Sequence, residues 1–148
     1  MMASLTDEAP TVSVRVSDSS DFIEAVPAIR ILTRKAYLSN GLPEGDATFF
    51  ATNAGGDPVA MLSWIQHDRT TFELRDFVSV LDGAGAVLLD DVIDRAVATS
   101  GREARVWAYC RKDIRRYYES VGLTYESEYS ESWNVMYVNR SPVGVSIG

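Results

Sequence analysis

Residues 81–89 read Leu-Asp-Gly-Ala-Gly-Ala-Val-Leu-Leu, and residues 114–123 read Ile-Arg-Arg-Tyr-Tyr-Glu-Ser-Val-Gly-Leu. The first stretch connects a segment with a strand pattern, 70–80, to an amphipathic helix predicted over 83–99. The second has the pattern of a short helix that Gly122 terminates. Strands and helices that follow one another in this way favour an α/β fold with at least one parallel crossover.

The rest of the chain extends this pattern on both sides. Strands are predicted at 11–17, 47–53, 58–66, 70–80, 103–110, 124–130 and 133–139, with a hairpin turn at 54–57. An early helix, which Pro27 interrupts, and a loop at 40–45 are predicted from apolar residues at helical spacing: Phe22, Val26, Ile29, Leu32 and Ala36. The order β-α-β-β-β-α-β-α-β-β predicts a mixed, mostly antiparallel sheet flanked by helices.

The length of 148 residues fits one domain, with tails expected at 1–10 and 141–148. No run of about 18 apolar residues is present, so no membrane span is expected. The first ten residues lack the basic start and apolar stretch of a signal peptide. We therefore expect a cytoplasmic protein.

The composition excludes several kinds of site. Cys110 is the only cysteine and His67 the only histidine, which argues against an internal disulfide and against a zinc site, and no metal site is expected. A hydrolase triad would have to use His67, and no G-x-S-x-G elbow accompanies it. The net charge of −7, from 14 basic and 21 acidic residues, disfavours nucleic acid and favours cationic ligands, although solubility explains such a charge equally well.

In this order of elements, the two opening stretches resemble the GNAT superfamily of acyl-CoA N-acyltransferases over residues 12–139. In that family a loop of the form R-G-x-G-x-G/A holds the pyrophosphate of CoA, and a late helix ends in A-x-x-x-Y-x-x-x-G-F. Gly83 and Gly85 match two loop glycines, and Tyr118 matches the tyrosine. The resemblance implies that strands 70–80 and 103–110 are parallel neighbours that splay apart at their C-terminal ends.

The resemblance also implies a site for acetyl-CoA, used as a cosubstrate, because glycines at a helix N-terminus let backbone N–H groups approach a phosphate. The loop is degenerate, since Val80 stands at the family's Arg or Gln and Leu81 at its first glycine, and Asp82 would repel phosphate. A simple strand-to-helix turn is the alternative. The implied cofactor-binding residues are Val78, Val80, Gly83, Ala84, Gly85, Ala86 and Arg111.

The implied catalytic residues are Tyr118 and Glu73. Tyr118 matches the position where many family members place a tyrosine near the sulfur, to protonate the departing thiolate. Glu73 lies on the strand that runs beside the acyl group, where a carboxylate can deprotonate the amine directly or through water. Aromatic packing of Tyr118 and a surface ion pair of Glu73 are the alternatives. Asp76 is a second candidate base, expected on the opposite face of a regular strand from Glu73.

The only strong basic cluster is Arg111, Lys112, Arg115 and Arg116. Its place at the start of the late helix invites an anionic partner, and the phosphates of CoA are one candidate. The alternative is a solvated face on which Arg115 pairs with Glu119. Cys110 is expected to be a buried small hydrophobe and His67 a turn residue rather than a general base.

Two functions fit these observations. The first is an N-acetyltransferase that moves an acetyl group from acetyl-CoA to a primary amine of a small molecule or peptide. The second is a catalytically inactive GNAT-fold scaffold or interaction protein in a larger assembly. Loops around 38–46 would choose the acceptor, neither nucleic acid nor a membrane is expected as a partner, and a homodimer is compatible with either function.

Overall fold

The computed structural model describes residues 13–17, 47–55, 57–81 and 83–142. The predicted early helix and the loops at 40–45 and 38–46 lie outside the described residues, as do Asp82, the tail at 1–10 and residues 143–148.

Seven strands and two α-helices make up most of the described residues, and all seven predicted strands are among them. The strands are β1 (Ser13–Ser17), β2 (Ala47–Thr52), β3 (Pro58–Gln66), β4 (Thr71–Ser79), β5 (Ala104–Arg111), β6 (Thr124–Glu128) and β7 (Trp133–Arg140). The helices are α1 (Ala84–Ser100) and α2 (Arg115–Ser120), and a 3-10 turn, Lys112–Ile114, precedes α2. The sequence patterns placed these elements within a few residues of their observed bounds.

The strands form one sheet in the order β1-β2-β3-β4-β5-β7-β6. All neighbouring pairs are antiparallel except β4 and β5, which are parallel. This exception pairs only from Thr71 with Arg105 to Leu74 with Ala108, whereas β4 continues to Ser79 and β5 to Arg111. The two strands therefore separate at their C-terminal ends, which confirms the predicted splay and the mixed, mostly antiparallel sheet.

Helix α1 covers one face of the sheet. Its buried side chains recur at helical spacing and pack with apolar residues of the strands: Leu88, Leu89, Val92, Ile93 and Ala96 from α1, and Phe49, Leu62, Phe72, Leu74 and Val106 from the sheet. Burying one such side chain stabilises the fold by about 1.5–3 kcal/mol. The helix ends at Gly101, whose φ of 74° suits glycine and whose N–H donates to the carbonyl of Val97.

Strand β4 carries a β-bulge in the region where it leaves β5. Ser63 of β3 pairs with Arg75, but Met61, two residues earlier in β3, pairs with Val78, three residues later in β4. The extra residue distorts the strand, and Asp76 has a φ of 57°. A bulge of this kind interrupts the alternation of side chains between the two faces of a sheet.

The bulge changes the face on which Asp76 lies. The hydroxyl of Ser63 donates a hydrogen bond to the Asp76 carboxylate. Ser63 shares a face of β3 with Ile65, which pairs directly with Glu73. The expectation that Glu73 and Asp76 lie on opposite faces was therefore wrong, because it assumed a regular strand.

Candidate active site

A cleft of about 350 Å³ opens where β4 separates from β5. The end of β4 and the turn after it form one wall, with Phe77, Val78, Ser79, Val80, Leu81 and Gly83. The other wall comes from the 3-10 turn and α2, with Ile114, Tyr117 and Tyr118. The cleft thus brings together four residues that the sequence proposed for the site: Val78, Val80, Gly83 and Tyr118.

The N-terminus of α1 opens into this cleft. Gly83 precedes the first helical residue with a φ of 84°, and its carbonyl accepts the N–H of Val87. A side chain at Gly83 would meet no atom within 4 Å, so the space beside it is open. The helix dipole makes such a terminus attractive to anions.

Gly85 has a different local role from Gly83. A Cβ at Gly85 would lie 2.5 Å from the hydroxyl oxygen of Tyr117 and 3.0 Å from the Cβ of Ser79. The first distance is far shorter than atoms tolerate, so a side chain at Gly85 would displace the Tyr117 hydroxyl from its place above the helix start. The sequence pattern offered phosphate binding or a simple turn for this glycine, and neither includes its contact with Tyr117.

Val80 sits at the mouth of the cleft. Its backbone N–H donates to the carbonyl of Val59 at 2.9 Å, so the sheet already uses this group. Its side chain is 44% exposed and apolar. The position where the resembled family carries a cation or an amide therefore offers a hydrophobic surface and a backbone carbonyl.

Tyr118 is buried at the base of the cleft, with its ring edge against the ring of Phe77 at a centroid distance of 6.0 Å. Burial, followed by the nearby Cys110, raises the pKa of its hydroxyl, which keeps the proton on the oxygen at neutral pH. No buried polar side-chain atom among the described residues lacks a partner, and no described group bonds to this hydroxyl. The hydroxyl is therefore accessible from the cleft as a hydrogen-bond donor.

Cys110 lies fully buried close to Tyr118, as the sequence predicted for a small hydrophobe. Burial raises the pKa of its thiol to about 11. The thiol donates to the carbonyl of Arg111 at 3.1 Å. A protonated thiol that solvent cannot reach is a poor nucleophile, so Cys110 is better suited to packing than to catalysis.

Glu73 is buried on the face of the sheet opposite α1, outside the described lining of the cleft. One carboxylate oxygen lies 2.8 Å from Nε2 of His67, and the other accepts Nε–H of Arg75 at 2.9 Å. It is therefore an interior residue held by two polar partners.

His67 occupies the turn between β3 and β4, as expected, and its N–H donates to the carbonyl of Thr71. Its ring also stacks on Trp107 at 5.8 Å. The sequence analysis missed its pairing with Glu73. The signal that could have revealed it is the tight hairpin turn between residues 67 and 73, which brings the two together across the turn.

Solved structures of several acyltransferases share this architecture. An acyl-CoA N-acyltransferase from Pseudomonas aeruginosa aligns with a TM-score of 0.64 and 17% identity, covering 86% of this chain and 99% of that chain. The ribosomal-protein-S18-alanine N-acetyltransferase from Escherichia coli gives 0.64 and 17%, covering 93% and 99%. The N-acetyltransferase PseH from Campylobacter jejuni, in complex with acetyl coenzyme A, gives 0.58 and 14%, covering 88% and 100%.

This chain has the GNAT fold. No protein-family model and no curated protein matches the sequence, so the conclusion comes from the likeness of the structures and concerns the fold. The resemblance read from the glycine-rich loop and the late helix is confirmed at that level.

The basic residues at the start of α2 in this GNAT fold are largely engaged in ion pairs. Arg111 pairs with Asp113 at 3.0 Å, and Lys112 pairs with Glu128. Arg115 pairs with Glu119 at 3.0 Å, the expected contact one helical turn apart, and also lies over the ring of Tyr125. Arg111 is not among the described residues that line the cleft.

Two further observations concern the described part of this GNAT fold. Across 13–17, 47–55, 57–81 and 83–142, no three His, Cys, Asp or Glu side chains are grouped so that they could hold a metal ion. In the same ranges, no helix combines the length and apolar character needed to cross a bilayer.

Proposed function

We propose that this chain transfers an acetyl group from acetyl-CoA to a primary amine. The observation that supports this most directly is the cleft at the β4–β5 gap, which places a helix N-terminus and a buried tyrosine hydroxyl around one space. The neighbours that share the fold include an acyl-CoA N-acyltransferase and an N-acetyltransferase in complex with acetyl coenzyme A. We extend the reaction named for these neighbours to the cleft of this chain.

The N-terminus of α1 would bind the pyrophosphate of acetyl-CoA. The residues fit this group, because Gly83 leaves open space beside the helix start and the dipole of a 17-residue helix favours negative charge there. The N–H of Ala84 already donates to the carbonyl of Leu81 at 3.1 Å, so backbone N–H groups of Gly83, Gly85 and Ala86 would donate to the phosphate oxygens. Val78 and Val80 would contact the rest of the cosubstrate with their apolar side chains, since the backbone N–H of Val80 already donates to Val59.

Glu73 would accept the proton of the amine, directly or through water. Because it lies on the face opposite α1, the acceptor would approach from that face and reach the thioester through the gap beyond Leu74 and Ala108. His67 and Arg75 hold the Glu73 carboxylate in place. A positioned base of this kind contributes typically about 10²–10⁴-fold to a rate.

Tyr118 would act on the leaving group. The amine nitrogen forms a bond to the thioester carbonyl carbon, backbone N–H groups in the gap stabilise the oxyanion, and the carbon–sulfur bond then breaks. The thiolate takes the Tyr118 proton, and solvent returns a proton to the phenolate. Tyr118 carries its proton at neutral pH. Because burial raises the pKa of its hydroxyl, transfer to the thiolate is uphill and is completed by the proton that solvent returns.

A second candidate is a GNAT-fold scaffold without catalysis, favoured by the state of Val80. Its N–H is already bonded to Val59, and its side chain gives the cleft mouth no positive charge. If the N-terminus of α1 alone does not bind the pyrophosphate, the chain would be such a scaffold.

Thermal unfolding with acetyl-CoA separates the two candidates. Acetyl-CoA at 100 times its Kd should stabilise the folded chain by about 2.7 kcal/mol. Val80→Arg adds a cation at the cleft mouth and should shift the stabilisation to lower acetyl-CoA concentrations. Thr99→Arg is the matched control, since it adds the same charge near the opposite end of α1. A flat melting curve up to millimolar acetyl-CoA in both the parent and Val80→Arg would contradict the enzyme and favour the scaffold.

Kinetics on a panel of primary amines test the catalytic residues. Tyr118→Phe and Glu73→Gln should each lower kcat by about 10²–10⁴-fold, because each removes one proton-transfer group and keeps the shape of the side chain. Tyr125→Phe is the matched control and should leave the rate unchanged, since its ring can still pack beneath Arg115. Full activity in Tyr118→Phe or Glu73→Gln would remove that residue from the mechanism.

A further inference from the structure

A second cleft, of about 240 Å³, is lined by three aromatic residues: Tyr109, Tyr129 and Trp133. Tyr109 comes from β5, and the other two flank the turn between β6 and β7. The N–H groups of Tyr129 and Ser130 both donate to the carbonyl of Trp133, which fixes the turn. The ring centroids of Tyr109 and Tyr129 are 4.5 Å apart. The backbone of the hairpin thus holds the three rings together.

This aromatic cleft lies on the same face of the sheet as Glu73. Tyr109 pairs with Val135, and Trp133 is two residues before Val135 on the same face of β7. Trp107, two residues before Tyr109, pairs directly with Glu73. The cleft is therefore beside the part of β5 that has separated from β4, on the face opposite α1.

Two of the three rings are well exposed to solvent. Tyr129 is 62% exposed and Trp133 40% exposed, so much of their aromatic surface faces solvent. Ring faces grouped around a small space attract cations through their quadrupoles, and quaternary ammonium groups are well suited to such sites.

The surrounding charges favour a cation as the ligand. Glu131 lies in the turn between Tyr129 and Trp133 and makes no ion pair with any described residue. The nearest cations in sequence are neutralised, Arg111 by Asp113 and Lys112 by Glu128. Burial, then Tyr129, then Glu73 raise the pKa of Tyr109, and Arg75, the ion-pair partner of Glu73, lowers it by less. The chain as a whole carries a net charge of −7.

We propose that Tyr109, Tyr129 and Trp133 bind the alkylammonium group of a ligand. The part of this proposal that concerns catalysis rests on the proposed acyl transfer. The nitrogen that attacks the thioester must lose its proton, so it cannot also be the cation that lies against the rings. The acceptor would therefore carry two nitrogens, one that is acetylated near Glu73 and a second that stays charged in the aromatic cleft.

Saturation-transfer NMR tests the cation site without acetyl-CoA and without turnover. The probes are choline and 3,3-dimethylbutan-1-ol, which have the same shape and hydroxyl but differ in charge. We expect choline to bind about 2- to 30-fold more tightly than the neutral alcohol, the range that cation–π contacts supply. Equal or tighter binding of the neutral alcohol would overturn the proposal.

Substitutions locate the site. Tyr129→Leu and Trp133→Leu should each remove the preference for choline, and both rings are exposed enough for the fold to tolerate their loss. Tyr117→Leu is the matched control, a similarly exposed tyrosine in the other cleft, and should leave the preference unchanged. A preference that survives both cleft substitutions would overturn the assignment. Selective choline binding by a chain that acetylates no amine would sustain the cation site while the proposed function fails.

Discussion

Leu74 and Glu73 are consecutive residues of β4 and are almost equally buried, at 5% and 4% exposed, yet they lie on opposite faces of the sheet. Leu74 packs in the apolar core that α1 covers. The Glu73 carboxylate lies between His67 and Arg75. Burying a carboxylate costs several kcal/mol unless partners compensate it. The face with Glu73 therefore needs polar partners, whereas the face with Leu74 needs only close apolar packing.

Strand β5 repeats the contrast. Cys110 is sealed on the α1 face, whereas its neighbour Tyr109 lines a cleft on the other face. Burial holds the Cys110 thiol neutral, while Tyr109 lies within the field of Glu73. One face of the β4–β5 pair therefore excludes charge, while the other carries the polar and aromatic groups that a ligand could meet.

The largest effect on stability is expected from Leu74→Ala, on the face that α1 covers. It should lower the free energy of unfolding by about 2–5 kcal/mol, because the α1 side can collapse only partly around the lost side chain. Urea denaturation measures this loss. Val87→Ala, at an exposed position of α1, is the control and should change stability by less than about 0.5 kcal/mol. Similar losses in the two variants would show that this face is not a closed core.

A smaller effect is expected at high pH from Cys110, whose thiol has a pKa of about 11 against an ordinary value of 9.0. The folded state binds this proton more tightly, so its contribution to stability is complete below pH 9 and is lost as the pH rises towards 11. The loss should be roughly 2–3 kcal/mol.

Chemical denaturation across this pH range measures the Cys110 effect, and Cys110→Ala is the comparison. The variant lacks the thiol, so its stability should fall less steeply with pH than that of the parent. Parallel pH profiles for the two proteins would mean that the α1 face tolerates a thiolate.

The smallest effect on stability is expected from Glu73→Gln, despite its burial. The amide keeps the shape of the carboxylate, and the side chains of Arg75 and His67 are 37% and 44% exposed, so water can solvate them when the charge is gone. The expected loss is about 1 kcal/mol or less in urea denaturation. Glu126→Gln, which breaks the more exposed pair with Arg105, is the control and should cost still less. A loss as large as that of Leu74→Ala would mean that the main role of Glu73 is to stabilise the fold.

The sequence predicted the described elements well, because each signal is local. The pattern over 70–80 predicted β4, and the amphipathic period over 83–99 predicted α1, which ends at Gly101. Two short motifs and the order of the elements were enough for the GNAT fold, which the structural neighbours confirm. The candidate residues of the first cleft were also identified in part, since Tyr118 and Gly83 do line one space.

Side-chain partners are what only the tertiary structure decided. Alternation and capping depend on residues a few positions apart, whereas the contact of Tyr117 with Gly85, or the grouping of Tyr109 with Tyr129 and Trp133, joins distant parts of the chain. The face of each residue depends on strand register, and a single extra residue reverses the alternation. The bulge at Asp76 is such a residue: the sequence determined that β4 exists, but only the packing of β4 against β3 decided which way its carboxylate points.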